Sequence, residues 1–112
     1  MTHYSVTLKN ADAKELAEKI EKILVEEVPP QEKISFERKV GNADVFLYVY
    51  ERRYPLRQKG VVTFNLLITD DKKEITVDAS VSGLQGVWKN NTGEQFIEFV
   101  TRGIRDYEIV TR

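Results

Sequence analysis

The sequence predicts an α+β fold of order β-α-β-β-β-β-α, a five-stranded antiparallel sheet with two helices packed on one face. Three observations carry this. Four runs of alternating polar and apolar residues follow one another between residues 33 and 82 with short connections, which favours neighbouring antiparallel strands. One run of helical spacing precedes them and another follows. The chain has 112 residues with no repeat, low-complexity stretch or linker, which fits one domain spanning 1–112.

Tyr4, Val6 and Leu8 alternate with Ser5, Thr7 and Lys9, a short strand with one buried face. Asp12 opens a helix, and Glu15 three residues on completes a capping-box variant. Leu16, Ile20, Ile23, Leu24 and Val28 form its apolar stripe, and Lys14, Glu18, Glu21, Lys22 and Glu26 its wet side. Pro29-Pro30 stops it, because proline lacks the N–H and restricts the residue before it. Ile34, Phe36 and Val40 mark the second strand, and Gly41-Asn42 is a two-residue hairpin turn. The third strand, Asp44 to Arg52, is apolar on both faces, and a basic loop from Arg53 to Gly60 follows. Val61 to Thr69 and Glu74 to Ser82 are the fourth and fifth strands, joined by Asp70-Asp71-Lys72-Lys73. Ser82-Gly83-Leu84-Gln85-Gly86 breaks the pattern. Thr92 and Gln95 then cap a second helix, with Phe96, Val100, Ile104 and Tyr107 on its stripe, running to near Arg112.

Turn geometry sets register. The Gly41-Asn42 turn places Val40 opposite Ala43, Lys39 opposite Asp44, Phe36 opposite Leu47 and Ile34 opposite Val49. A turn centred on Asp71-Lys72 pairs Ile68 with Ile75, Leu66 with Val77 and Phe64 with Ala79. Both apolar sets are assigned to the helix-covered face. The other face then carries Phe46, Tyr48 and Tyr50 as an aromatic stripe, beside Thr63 and Asn65.

Composition narrows the function. Seventeen Lys/Arg against eighteen Asp/Glu give a net charge of -1, with no global field to attract nucleic acid or an anionic membrane. There is no cysteine, which excludes disulfides and thiolate metal sites. The N-terminus lacks a basic and apolar leader, and the longest apolar run, around Val45 to Tyr50, is far short of the ~20 residues of a membrane span. A cytoplasmic setting is the expectation.

Catalytic signals are sparse. The single histidine, His3, is read as a terminal residue, and no HExxH, GxSxG, Walker A or GxGxxG pattern occurs. Gly83 and Gly86 read as a turn that needs positive φ, and Asp70-Asp71 as a turn without a bound cation. No catalytic residue, metal or cofactor is assigned. Arg52, Arg53, Arg57 and Lys59, with Tyr54 among them, are the one cluster suited to phosphate or single-stranded nucleic acid. The competing reading is a solubilising hairpin tip, which the neutral whole-chain charge favours.

The segment from Ser82 through Gly83, Leu84, Gln85, Gly86, Val87, Trp88, Lys89, Asn90, Asn91, Thr92 and Gly93 to Glu94 resembles a motif in a family of small bacterial proteins, mostly from Firmicutes, classed as a domain of unknown function. Val49-Tyr50-Glu51-Arg52 is similar to the same family. That resemblance implies no activity. The element order also resembles the TATA-box-binding-protein repeat and the helix-grip ligand binders, a likeness of fold alone.

These readings leave three classes. The expected one is a non-enzymatic module that homodimerises through Phe46, Tyr48, Tyr50, Thr63 and Asn65 on the exposed sheet face. The alternative is a small-ligand binder with a pocket between the second helix and the sheet. An enzyme ranks last, for want of a nucleophile–base pair or metal cluster.

Overall fold

The computed structural model describes residues 2–54, 60–83 and 92–111. Its elements are β1 (Thr2–Lys9), α1 (Ala13–Glu27), β2 (Glu32–Val40), β3 (Ala43–Tyr54), β4 (Gly60–Asp70), β5 (Ile75–Gly83), α2 (Thr92–Gly103) and β6 (Glu108–Thr111). The architecture is α+β. The strands form one antiparallel sheet in the order β2-β3-β4-β5-β1-β6, with β2 to β5 as the meander.

The sheet has six strands, one more than the sequence reading. The second helix stops at Gly103, and Glu108–Thr111 pairs with β1, placing Ile109 opposite Leu8. Gly103 ends α2 where it meets α1. A Cβ at Gly103 would lie 2.7 Å from Cγ1 of Ile20, so the close approach of the two helices requires glycine. Tyr107, which looked like the next helical position, lies beyond α2 with the Lys19 ammonium 4.8 Å from its ring centre.

Local signals explain the helices. The Asp12 carboxylate accepts the Glu15 N–H at 2.9 Å, so α1 starts on its cap. Ala13, Leu16, Ala17, Ile20 and Leu24 are its buried stripe. Phe96, Phe99 and Val100 are buried from α2 and join the same core. The sheet contributes Val6 and Leu8 of β1, Val62, Phe64, Leu66 and Ile68 of β4, and Ile75, Val77, Ala79 and Val81 of β5.

The first hairpin has the expected register: Val40 faces Ala43, Phe36 faces Leu47 and Ile34 faces Val49. Gly41 supplies the positive φ, +63°, at the first position of its two-residue turn. The second hairpin is offset by two residues from the expectation. Phe64 faces Val81, Leu66 faces Ala79, Ile68 faces Val77 and Asp70 faces Ile75. The cause is a four-residue loop, Asp71 to Glu74, whose Asp71 carboxylate accepts the N–H groups of Lys73 and Glu74, both at 2.8 Å.

The face assignment of the first hairpin is reversed. β3 pairs with β4 so that Phe46 faces Ile68, Tyr48 faces Leu66 and Tyr50 faces Phe64. Residues directly opposite share a face, so the aromatic stripe lies on the helix-covered side. Phe46 and Tyr50 are 6% and 0% exposed, and Tyr48 packs against the core. The face opposite the helices instead carries Ile34, Phe36, Val40, Val45, Leu47 and Val49.

Candidate functional site

The face of the sheet that no described element covers is divided in two. At the β5–β1 end it is polar, with Thr76, Asp78, Ser80 and Ser82 beside His3, Ser5 and Thr7. His3 is a strand residue opposite Ser80, with Nε2 3.6 Å from the Asp78 carboxylate, and not a frayed end. At the β2–β3–β4 end the same face is apolar. Leu47 lies between Phe36 on β2 and Leu67 on β4, and Val49 between Ile34 and Asn65. Val40 and Val45 extend the patch towards the β2–β3 turn, Thr63 and Asn65, named from the sequence, border it on β4, and Val61, opposite Arg53, lies beyond them.

Several of these side chains are open to water: Ile34 is 56% exposed, Phe36 47% and Val40 64%. Together the apolar residues of this face expose on the order of 400–500 Å², within the ~300–600 Å² of the largest patch on a typical monomer, which is often functional. All nine residues of β2 are exposed, and β2 is an edge strand of the sheet. The Arg38 guanidinium sits 5.7 Å from the Phe36 ring centre.

The helix side of the same hairpin is charged. Lys14 of α1 is 3.7 Å from Glu37, and Lys33 is paired with Glu21. Between them a shallow cleft of about 250 Å³ is lined by Lys14, Glu18, Ser35, Glu37 and Tyr48. Deeper in, burial and the Glu21 carboxylate push the ionisation of the Tyr50 hydroxyl far above the ordinary tyrosine range. That hydroxyl makes no well-formed hydrogen bond, and the Glu21 carboxylate beside it adds to the upward push.

The remaining sequence candidates separate. Arg52 donates to the Pro29 carbonyl at 2.6 Å. Arg53 lies 3.4 Å from Glu51 and 3.6 Å from Glu32, and its N–H donates to the Gln31 side chain. Both arginines are thus engaged within the chain at the root of the basic loop. Arg57 and Lys59 lie outside the described residues, as do Gly86 and Trp88. Gly83 has the positive φ expected of it, +147°.

Among the described residues, α2 meets the sheet through packed side chains where the ligand-binding reading expects a pocket. Phe96 stacks on Phe64 with ring centres 4.7 Å apart, and Val100 and Ile104 are buried beside them. Among the described residues no three metal-ligating side chains converge, and no helix is long and apolar enough to cross a membrane. The apolar wing of β2–β3–β4 escaped the sequence reading for one reason: β3 is apolar on both faces, so the pattern within it does not choose between Leu47 and Tyr48. The chain matches no family model, and neither the curated proteins nor the solved structures contain a match to it.

Proposed function

We propose that the protein is a non-enzymatic interaction module of the cytoplasm that homodimerises through the uncovered β2–β3–β4 face. The observation that supports this reading is the contiguous apolar patch centred on Leu47, with Phe36 and Leu67 on either side. Two copies of a ~450 Å² patch bury about 900 Å² of apolar surface, which with a polar rim reaches the ~1,200–2,000 Å² of a specific interface. A two-fold axis brings each patch onto its own copy, and stacked sheets keep their strands within about 30° of one another. Thr63 and Asn65 supply rim hydrogen bonds. The proposed likeness of the β-α-β4-α part to the TATA-box-binding-protein repeat is one of fold, with β6 as an addition.

Leu47 is central, where truncation costs most. Leu47→Asp is expected to give a folded protein that sediments at half the wild-type mass, since the side chain points away from the core. Sedimentation of the wild type as a monomer at about 100 μM, well above a ~1 μM Kd, overturns the proposal.

A further inference from the structure

β2 is a nine-residue edge strand that no described element covers; of the devices that blunt sheet edges it has no proline, bulge or brevity, but it carries the charges Glu32, Lys33, Glu37, Arg38 and Lys39, which select among possible partners. Its ladder with β3 shows no bulge from Glu32 to Val40. In a two-residue hairpin the pair closing the turn, here Val40 and Ala43, exchanges both backbone hydrogen bonds, and alternation follows from there. The N–H and C=O groups of Glu32, Ile34, Phe36, Arg38 and Val40 therefore point to β3. Those of Lys33, Ser35, Glu37 and Lys39 point outward, to the edge, where the Glu37 carbonyl accepts from the Arg38 guanidinium at 3.1 Å, a bond that edge pairing would exchange for a ladder one.

We infer that this edge pairs, antiparallel, with β2 of a second copy, with Ser35 on the two-fold axis. The inference uses a different surface from the face-to-face contact and does not depend on it. Charge selects the register. An axis at Ser35 sets Glu37 opposite Lys33, Arg38 opposite Glu32 and Phe36 opposite Ile34, twice each, so every ionic pair has opposite signs and the apolar residues meet. An axis at Phe36 would oppose Lys33 with Lys39 and Ile34 with Arg38. An axis at Glu37 would oppose that carboxylate with itself, and one at Ile34 would set Glu32 against Phe36. Only the Ser35 register satisfies both faces of the strand.

The helix layer agrees. Lys14 stands by Glu37 and Glu21 by Lys33 within one chain. Across the axis the order becomes Lys14, Glu37, then Lys33 and Glu21 of the other copy, with alternating sign throughout. Glu18 lines the same cleft as Ser35, so in this register it approaches its own copy across the axis, a like-charge pair in the seam. With both edge and face contacts, four copies assemble around perpendicular two-fold axes.

The test is sedimentation equilibrium on the full chain. With both contacts present, the wild type runs at four times the 13.0 kDa chain mass. Arg38→Glu sets a second carboxylate against Glu32 at both ends of the seam and is expected to halve the assembly mass, and Glu32→Lys added to it to restore the mass. Ser35→Pro removes an outward N–H at the axis, tolerated in an edge strand, and is expected to halve the mass with an unchanged circular dichroism spectrum. The chain has no cysteine, so Ser35→Cys reports geometry directly. Across a hydrogen-bonded pair the Cα atoms lie about 5.5 Å apart, within disulfide reach, and oxidation is expected to cross-link two chains, whereas Lys39→Cys, far from the axis, is not. Assembly mass unchanged by Arg38→Glu and Ser35→Pro, or Ser35→Cys that stays uncrosslinked, overturns the inference. If Leu47→Asp alone changes nothing while Arg38→Glu halves the mass, the edge pairing stands and the face-to-face proposal fails.

Discussion

Tyr50→Phe removes one buried atom and nothing else. The Tyr50 side chain is fully buried beneath α1, its ring stacks on Tyr48 at 6.5 Å, and its hydroxyl is desolvated without a hydrogen bond in return. Leaving a polar group buried and unpartnered costs about 1–3 kcal/mol. Phenylalanine keeps the ring and its contacts, so the variant is expected to be about 1 kcal/mol more stable at pH 7. For a domain this size that raises Tm by roughly 4 °C. The two proteins should diverge further in alkali. The folded Tyr50 ionises far above the unfolded value near 10, so the unfolded chain loses its proton first. Stability is then fully present below pH 10 and falls as pH rises towards the folded value, by about 1 kcal/mol per group between pH 10 and pH 11. Urea unfolding of both proteins at pH 7, 10 and 11 gives the comparison. A variant less stable than wild type at pH 7, or two curves that fall in parallel from pH 10 to 11, would refute the reasoning.

Gly83→Ala puts a Cβ 2.5 Å from the Val61 carbonyl oxygen, in a backbone conformation L residues rarely adopt; a loss of about 2–3 kcal/mol in denaturant unfolding is expected. Gly103→Ala meets Cγ1 of Ile20 at 2.7 Å, and the expected loss of about 1–2 kcal/mol should shrink when the same change is made in an Ile20→Ala background, where Cγ1 is gone. The Lys73 and Glu74 N–H groups hold the Asp71 carboxyl below its usual range, as the Lys72 ammonium does for Asp44. A depressed carboxylate stabilises above its unfolded value near 4 and loses that contribution as pH falls through the folded one. Thermal melts of Asp71→Asn should therefore show a shallower decline below pH 4 than the wild type, and an equal decline would remove Asp71 from the account.

What the sequence discloses depends on how directly a turn determines its strands. Gly41-Asn42 leaves one possible pairing, and the β2–β3 register follows from it residue by residue. The loop after Lys72 is longer than its two central residues suggest, and the register moves by two, yet every side chain keeps its face because the strand repeat is two. No such rule bridges β3 and β4. Whether Leu47 or Tyr48 faces the helices is decided by the parity of a connection of unknown shape, and both halves of β3 are hydrophobic enough for either answer. The ladder settles it: Tyr50 lies opposite Phe64 and Tyr48 opposite Leu66, both core residues of β4, so β3 turns its aromatic side to the helices. The missed strand β6 had a signal in Ile109-Val110-Thr111, three β-branched residues following Gly103, which Tyr107 obscured by falling on the helical repeat.

The position of β1 between β5 and β6 has a consequence for how the chain is made. Thr7 and Thr76 touch across 69 residues, and the other flank of β1 is closed by the last strand. During synthesis β1 finds neither neighbour until β2 to β5, and then α2 and β6, have followed it. The meander from β2 to β5 can assemble meanwhile through short-range pairing, but docking β1 on β5 closes a 69-residue separation, which slows folding. Val6 and Leu8 stay without their core partners throughout that interval, so a nascent chain stalled before β5 carries its own first strand as an unsheltered, aggregation-prone segment.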